Sequence, residues 1–144
     1  MKHFFKTTAY FVFISLFITA CCEDGETLPT HEPPVWNINH NAGYYENMTA
    51  VVKLPNNLAQ YASEEDRLAA FSGNECRGIG ELINGSYFVA IKGTPEDQSN
   101  IRFMYYGAKN KYLYQTDDLI SFDASQKFGT ADEPKELTLN VVKY

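Results

Sequence analysis

The sequence predicts an all-β domain over residues 36–144, on three observations. Short runs of Tyr, Phe, Val and Ile recur between clusters of Gly, Asn, Pro and Asp, the punctuation of strands joined by turns. Several runs alternate apolar and polar residues with a period of two, as half-buried strands do. No helical pattern of the length that links parallel strands separates them. Seven or more short strands at roughly 8 to 12 residue spacing point to an antiparallel β-sandwich of immunoglobulin-like appearance.

The strands follow in order. Met48, Ala50, Val52 and Leu54 alternate with Thr49, Val51 and Lys53, and Pro55-Asn56-Asn57 ends that run. The next segment, LAQYASEEDR, suits a short helical turn capped by Ser63. Strands at 68–71 and 75–83 are joined by Ser72-Gly73-Asn74, and the second runs into Asn84-Gly85. Asn-Gly between apolar alternations is the strongest short hairpin signal, because both central residues of a type I′ turn need positive φ. Residues 86–92 answer it, with Tyr87, Val89 and Ile91 on one face, until Thr94-Pro95-Glu96-Asp97 breaks the strand. Residues 100–106 start another strand, with Gly107-Ala108-Lys109-Asn110-Lys111 as a second hairpin loop, and runs at 112–115, 119–122 and 137–143 complete the set.

Ahead of this domain, residues 1–20 have the layout of an export signal: Lys2 and Lys6 precede an apolar run over 9–20, with no acidic residue until Glu23. The run is about a dozen residues, whereas a membrane-spanning helix needs roughly 20. A cleaved signal is expected rather than a permanent span. Ile18-Thr19-Ala20-Cys21 resembles the lipobox of bacterial lipoproteins, with Ile18 where Leu is commoner. The resemblance implies a diacylglyceryl group on the Cys21 thiol, cleavage directly before it and an outer-membrane lipoprotein. A plain secretory signal cut elsewhere is the alternative. Acyl chains contribute about 0.8 kcal/mol per buried methylene, so such an anchor needs no helix.

Residues 21–35 are expected to be an acidic tether, because CEDGETLPTHEPP is polar, proline-bearing and without apolar periodicity. Glu23-Asp24 with Glu26 is similar to the acidic export tag that follows the lipidated cysteine in surface lipoproteins of Bacteroidetes-type bacteria. That likeness implies an external location, and a solvated linker is the alternative. Of the three cysteines, Cys76 alone lies in the domain. It is expected as a buried free thiol, with a Cys22 to Cys76 disulfide as the alternative.

The segment Asp66-Arg67-Leu68-Ala69-Ala70-Phe71-Ser72-Gly73-Asn74-Glu75-Cys76-Arg77-Gly78 resembles the D-x-(L/I)-A-A-F-x-G-x-E-C-R-G stretch of a β-sandwich module in surface and secreted proteins of Bacteroidetes-type bacteria. The likeness extends back to Trp36, Tyr45 and Met48, and forward to Ile101-Arg102-Phe103, Phe122 and Gly129. It implies fold and location and carries no activity with it. Within it, Asp66, Phe71, Cys76, Arg77 and Gly78 form a structural motif. Gly73, Gly78 and Gly80 allow tight turning and close approach of neighbouring strands. Cys76 and Arg77 point to opposite faces in an extended strand. A partly buried Arg77 needs a carboxylate, and Asp66 or Glu75 is nearest in sequence.

Chemistry is sparse. Net charge is −6, more negative once two signal lysines are removed, and no basic stripe is present, so nucleic acid is not an expected partner. His3 leaves with the signal, while His31 and His40 lie in or beside the tether, so no core histidine can pair with Cys76 or a serine. The chain lacks CxxC, HExxH and a phosphate-cradling glycine loop. Asp117, Asp118 and Asp123 do not have EF-hand spacing and read as solvated loop acids. No enzyme, metal or cofactor is expected.

Aromatic residues are the unusual supply, ten Tyr, ten Phe and one Trp. A hairpin loop centred on Lys109 sets Tyr106 opposite Tyr112 and Met104 opposite Tyr114, with Ile101, Phe103 and Tyr105 turned to the core. The other face then carries Arg102, Tyr106, Tyr112 and Tyr114, a stacking surface for a sugar ring or a partner's side chain. The alternative is cross-strand tyrosines that stabilise the sheet, and a slip of one residue would reverse the faces. The expected function is a non-catalytic surface binding module with glycan as the ligand class. The competing expectation is a structural or assembly component touching other envelope proteins.

Overall fold

A computed structural model describes residues 27–144. The expected export signal over 1–20, the expected lipidation site Cys21, Cys22 and the acidic start of the expected tether lie outside the described residues. Among those described, no helix is long and apolar enough to cross a membrane.

The fold is all-β. It comprises β1 (Glu46–Lys53), a four-residue helix α1 (Asn56–Ala59), β2 (Arg67–Ser72), β3 (Glu75–Ile83), β4 (Ser86–Gly93), β5 (Asn100–Gly107), β6 (Tyr112–Thr116), β7 (Ile120–Ser121), β8 (Lys127–Phe128), β9 (Lys135–Glu136) and β10 (Leu139–Val141). One ladder runs β10-β6-β5-β2-β3-β4-β1-β8, with β7 beside β5 and β9 beside β1. The long pairs are antiparallel, but β8 and β9 pair parallel with β1, so the sheet is mixed rather than purely antiparallel. Both parallel strands are two residues long. Val51 and Val52 are buried in β1, and the strands that pair beside them are too short to leave an apolar alternation in the sequence.

β3 carries the ladder around the bend. It pairs with β2 as far as Ile79 and with β4 from Gly80 onward. Glycine permits this crossing: a Cβ at Gly78 would stand 2.7 Å from the Ala90 carbonyl oxygen. The curled sheet turns one face inward, where Ala50 and Val52 of β1, Leu68 of β2, Tyr87, Val89 and Ile91 of β4, and Ile101, Phe103 and Tyr105 of β5 share one core. Asn84 and Gly85 have φ of 50° and 81°, as the Asn-Gly turn requires.

Two local expectations change. The helical turn forms at Asn56–Ala59, before Ser63, and begins at Pro55 without a side-chain cap. Ser63 instead accepts from Glu65 N–H at 3.2 Å and donates its own N–H to Asp66 at 2.8 Å, closing a separate turn. The segment expected as tether lies against the sheet from His31 onward. His31 N–H donates to the Lys111 carbonyl at 2.7 Å, the Arg67 guanidinium donates to the Pro34 carbonyl, and Trp36 meets Phe71 edge-on at 5.6 Å. Proline holds such a strip extended, and the apolar outer face of β2 gives it a seat.

Candidate functional site

Asp66, the residue before β2, is a hub at one end of the curled sheet. One carboxylate oxygen accepts from Ser63 N–H at 2.8 Å and from the Tyr105 hydroxyl at 2.5 Å; the other accepts from Ala108 N–H at 2.8 Å and from the Ser63 hydroxyl at 3.2 Å. It thereby joins the loop after α1, the interior of β5 and the β5–β6 loop. Tyr105 sits in a row of rings, 6.4 Å from Tyr87 and 5.8 Å from Tyr114, which lies 6.5 Å from Tyr112. Asn110 donates to the Tyr114 hydroxyl at 2.7 Å and accepts from Tyr112 N–H at 2.9 Å, which fixes the loop over the ring row.

Burial, followed by the bond to Asp66, pushes the Tyr105 hydroxyl far above the usual phenol range. Burial and the Asp66 charge push Tyr87 to about 12. Burial also raises Tyr114, against the opposing effect of its bond with Asn110. These hydroxyls remain protonated near neutral pH and do not act as bases there.

Beside the ring row, a cavity of about 300 Å³ opens between α1 and the β5–β6 loop, lined by Leu58, Tyr61, Tyr105, Gly107, Lys109 and Asn110. Its lining is mostly apolar, with an amide and an ammonium at the loop side. Tyr61 is 59% exposed, so its ring is available to a ligand. Concave, largely apolar pockets with a few polar groups are the usual form of small-ligand sites.

The sequence-expected tyrosine face does not form. The register sets Tyr105 opposite Tyr114, Tyr106 opposite Leu113 and Gly107 opposite Tyr112. This is a slip of one residue from the expected pairing, so Tyr112 and Tyr114 turn toward the core and Tyr114 is 6% exposed. The loop accounts for it: Gly107 ends β5 as a paired residue and Lys111 takes φ of 59°, which moves the turn centre away from Lys109. Tyr106 stays on the outer face as expected, but is covered, and its hydroxyl donates to the His31 carbonyl at 3.3 Å. Arg102 is also outward, donating to the Gly73 carbonyl at 3.0 Å. The structure therefore separates Arg102 and Tyr106 from Tyr112 and Tyr114.

The structural motif is brought together with one change of partner. Arg77 is buried and donates to Glu75 at 2.9 Å, to Asp97 at 2.7 Å and to the Lys92 carbonyl at 3.0 Å. Its guanidinium also lies 3.9 Å from the centroid of Tyr44. Glu75 is one of the two expected partners, whereas Asp66 is not a partner and Asp97 is the second. Ladder positions pass from Cys76 opposite Phe71 to Gly78 opposite Ala70, so Arg77 is the extra residue of a bulge, and Cys76 and Arg77 are both buried. Simple alternation does not survive there. Cys76 is a free thiol packed with Phe71 and Ala69, and burial raises its pKa, which keeps it an inert core residue.

Among the described residues, no group of three His, Cys, Asp or Glu side chains is placed to hold a metal ion. Asp117 accepts from Asn140 at 2.6 Å and Asp123 from Ser125 at 2.6 Å, which uses them as loop braces. Leu58, Tyr61, Lys109 and Asn110 are the pocket residues that sequence reasoning missed. Two of them sat in a segment without periodicity and two in a loop marked only as a turn. No family model matches the chain, and no curated protein or solved structure is significantly similar to it.

Proposed function

We propose that this chain is a lipoprotein anchored through Cys21 in the outer membrane, facing the cell exterior, and that its β-domain is a non-catalytic glycan-binding module. The observation that carries the reading is the cavity between α1 and the β5–β6 loop, where an exposed Tyr61 ring meets an apolar floor and the polar groups of Asn110 and Lys109. A sugar ring presents an apolar C–H face and a rim of hydroxyls, and tyrosine matches both with its broad ring and polar tip. Asn110 and Lys109 supply donors for the rim hydroxyls. The Tyr105 phenol on this wall is held protonated by burial and donates to Asp66, so it offers no base.

The test is retention of the domain on insoluble polysaccharides and titration with soluble oligosaccharides. Tyr61→Ala is expected to abolish retention with the melting temperature nearly kept, because Tyr61 is exposed. Wild-type protein that binds no polysaccharide would overturn the glycan reading. The second reading, an assembly component contacting other envelope proteins, is favoured by the apolar hairpin tip, where Leu82 and Ile83 are 42% and 41% exposed. Stable copurification with a larger complex that is lost in Leu82→Ser with Ile83→Ser would support it.

A further inference from the structure

The β5–β6 loop, residues 107–111, lines two cavities. Gly107, Lys109 and Asn110 form a wall of the Tyr61 pocket, whereas Ala108 and Lys111 line a second space of about 620 Å³ together with Tyr106 and with Glu32 and Pro33 of the strip over 31–36. That strip is a strap fastened to the loop at His31. Its N–H donates to the Lys111 carbonyl at 2.7 Å, and its carbonyl accepts from the Tyr106 hydroxyl at 3.3 Å. Lys111 is held there at φ of 59°, a left-handed conformation that a residue with a Cβ keeps only where its surroundings fix it. Its neighbour Asn110 reaches the other way, into the pocket lining and to the Tyr114 hydroxyl. We infer that the strap regulates the Tyr61 pocket: seated, it holds Lys111 and so the pocket wall in its binding form, and lifted, it lets the loop relax and the pocket lose affinity. The inference rests on reading that pocket as a ligand site.

The strap is built to lift before the sheet does. It forms no strand, and besides His31 it is held by the Arg67 guanidinium on the Pro34 carbonyl and by half-buried Trp36, edge-on to Phe71, while Val35 between them is 78% exposed. Segments without a ladder and with few buried contacts open at low cost. The loop's remaining bonds set the size of the response. Ala108 N–H still donates to Asp66 at 2.8 Å, and Lys111 N–H to the Gly107 carbonyl at 2.8 Å, so release loosens the loop without dissolving it. Loss of the His31 bond shifts the loop's opening equilibrium about fivefold, the scale of one net hydrogen bond. Coupling of this kind is reciprocal, so a ligand that needs the fixed loop also holds the strap down. The strap lies between Cys21 and β1 in sequence, so a pull on the proposed anchor reaches His31 before the sheet.

The test is hydrogen exchange on the full-length protein, read at His31 in the strap, at Ala108 and Tyr112 in and beside the loop, and at Val89 in the core. Arg67→Gln with Tyr106→Phe removes two fastenings and touches no residue of the Tyr61 lining. Trp36→Ala removes a third independently. In both variants exchange at His31, Ala108 and Tyr112 is expected to quicken about fivefold relative to Val89. Maltohexaose and cellohexaose are titrated in parallel. A sugar that binds wild type is expected to bind both variants about fivefold more weakly, and at saturation to slow His31 exchange in wild type by the same factor. Quickening at His31 alone, or at His31 in neither variant, would overturn the coupling. Equal quickening at Val89 would mark a general loss of stability and overturn it too, as would unchanged affinity for a sugar that binds. Binding of neither sugar counts against the glycan reading, while exchange at Ala108 and Tyr112 still decides whether the strap controls the loop.

Discussion

The Tyr105 hydroxyl donates to the Asp66 carboxylate at 2.5 Å across 39 positions of sequence, and that bond ties the inside of β5 to the turn that launches β2. Tyr105→Phe leaves Asp66 its two backbone donors and the Ser63 hydroxyl and is expected to cost about 1.5–3 kcal/mol, the range for a hydrogen bond to a charged group. Asp66→Ala strips all four hydrogen bonds and is expected to cost more, measured by urea unfolding. If Asp66→Ala costs no more than Tyr105→Phe, the hub is not organising the loops. The raised folded-state pKa values of Tyr105, Tyr87 and Tyr114 also stabilise the fold at full strength below 10.0, the value of a free phenol. That contribution is lost as pH climbs from there through the folded values. Tyrosinate absorbance should accordingly show a fraction of the rings ionising only together with alkaline unfolding.

Arg77 and Asp97 form a buried pair, with side chains 8% and 9% exposed. Burial pulls the Asp97 carboxyl upward, but its bonds with Ser99 and Arg77 outweigh this and hold its pKa below 3.8. A carboxylate depressed in the folded state stabilises above its unfolded pKa, and that contribution fades as pH falls from 3.8 through the folded value. Asp97→Asn should therefore flatten the acid limb of the stability curve in that window. Arg77→Met alone is expected to cost about 3–5 kcal/mol, since it leaves a buried charge unpaired. Arg77→Met combined with Asp97→Leu should recover part of that loss, and a fully additive double variant would show that the two groups are not coupled.

How far the sequence could be read follows from what each signal depends on. Strand alternation and the Asn-Gly hairpin are local, and both β3–β4 and the inner face of β4 emerge as expected. The β5–β6 register depends on where a five-residue loop places its turn, and an error of one residue exchanged the faces of Tyr112 and Tyr114. The Arg77 bulge likewise cannot be seen locally, because it exists only against β2. Asp97 was marked as a strand breaker, and its partnership with Arg77 across 20 positions needed the fold. Parallel pairing of β8 and β9 with β1 left no alternation to find, since each strand is two residues long.

Lipid attachment is tested apart from binding. Labelled fatty acid is expected to enter the full chain in its native membrane and not Cys21→Ala, with the variant recovered in soluble fractions. The expectation rests on the small residues that end the apolar run at Ala20-Cys21. Equal labelling of wild type and Cys21→Ala would remove the anchor from the functional reading while leaving the pocket untouched.

Gly129 and Gly85 share nearly the same backbone, φ of 80° and 81°, yet face different surroundings. Both positions lie in the left-handed region, where any side chain costs roughly 1–2 kcal/mol. Around Gly85 nothing stands within 4 Å, so Gly85→Ala is expected to cost only that. A Cβ on Gly129 would fall 2.2 Å from the Val51 carbonyl oxygen and 2.9 Å from the Lys135 amide nitrogen. Neither is the end of a flexible side chain, so the backbone itself would have to move. The movement would separate β8 and β9 from β1, where Ala50 meets Phe128 and Val52 meets Lys135, and would disturb the stack of Phe128 on Phe103. Gly129→Ala is therefore expected to cost at least about 2 kcal/mol more than Gly85→Ala, on the scale of strong core disruption. Amide exchange should quicken selectively at Leu137, whose N–H donates to the Lys53 carbonyl at 3.0 Å. Equal losses for the two alanines, with exchange at Leu137 unchanged, would show that the parallel edge does not depend on that close approach.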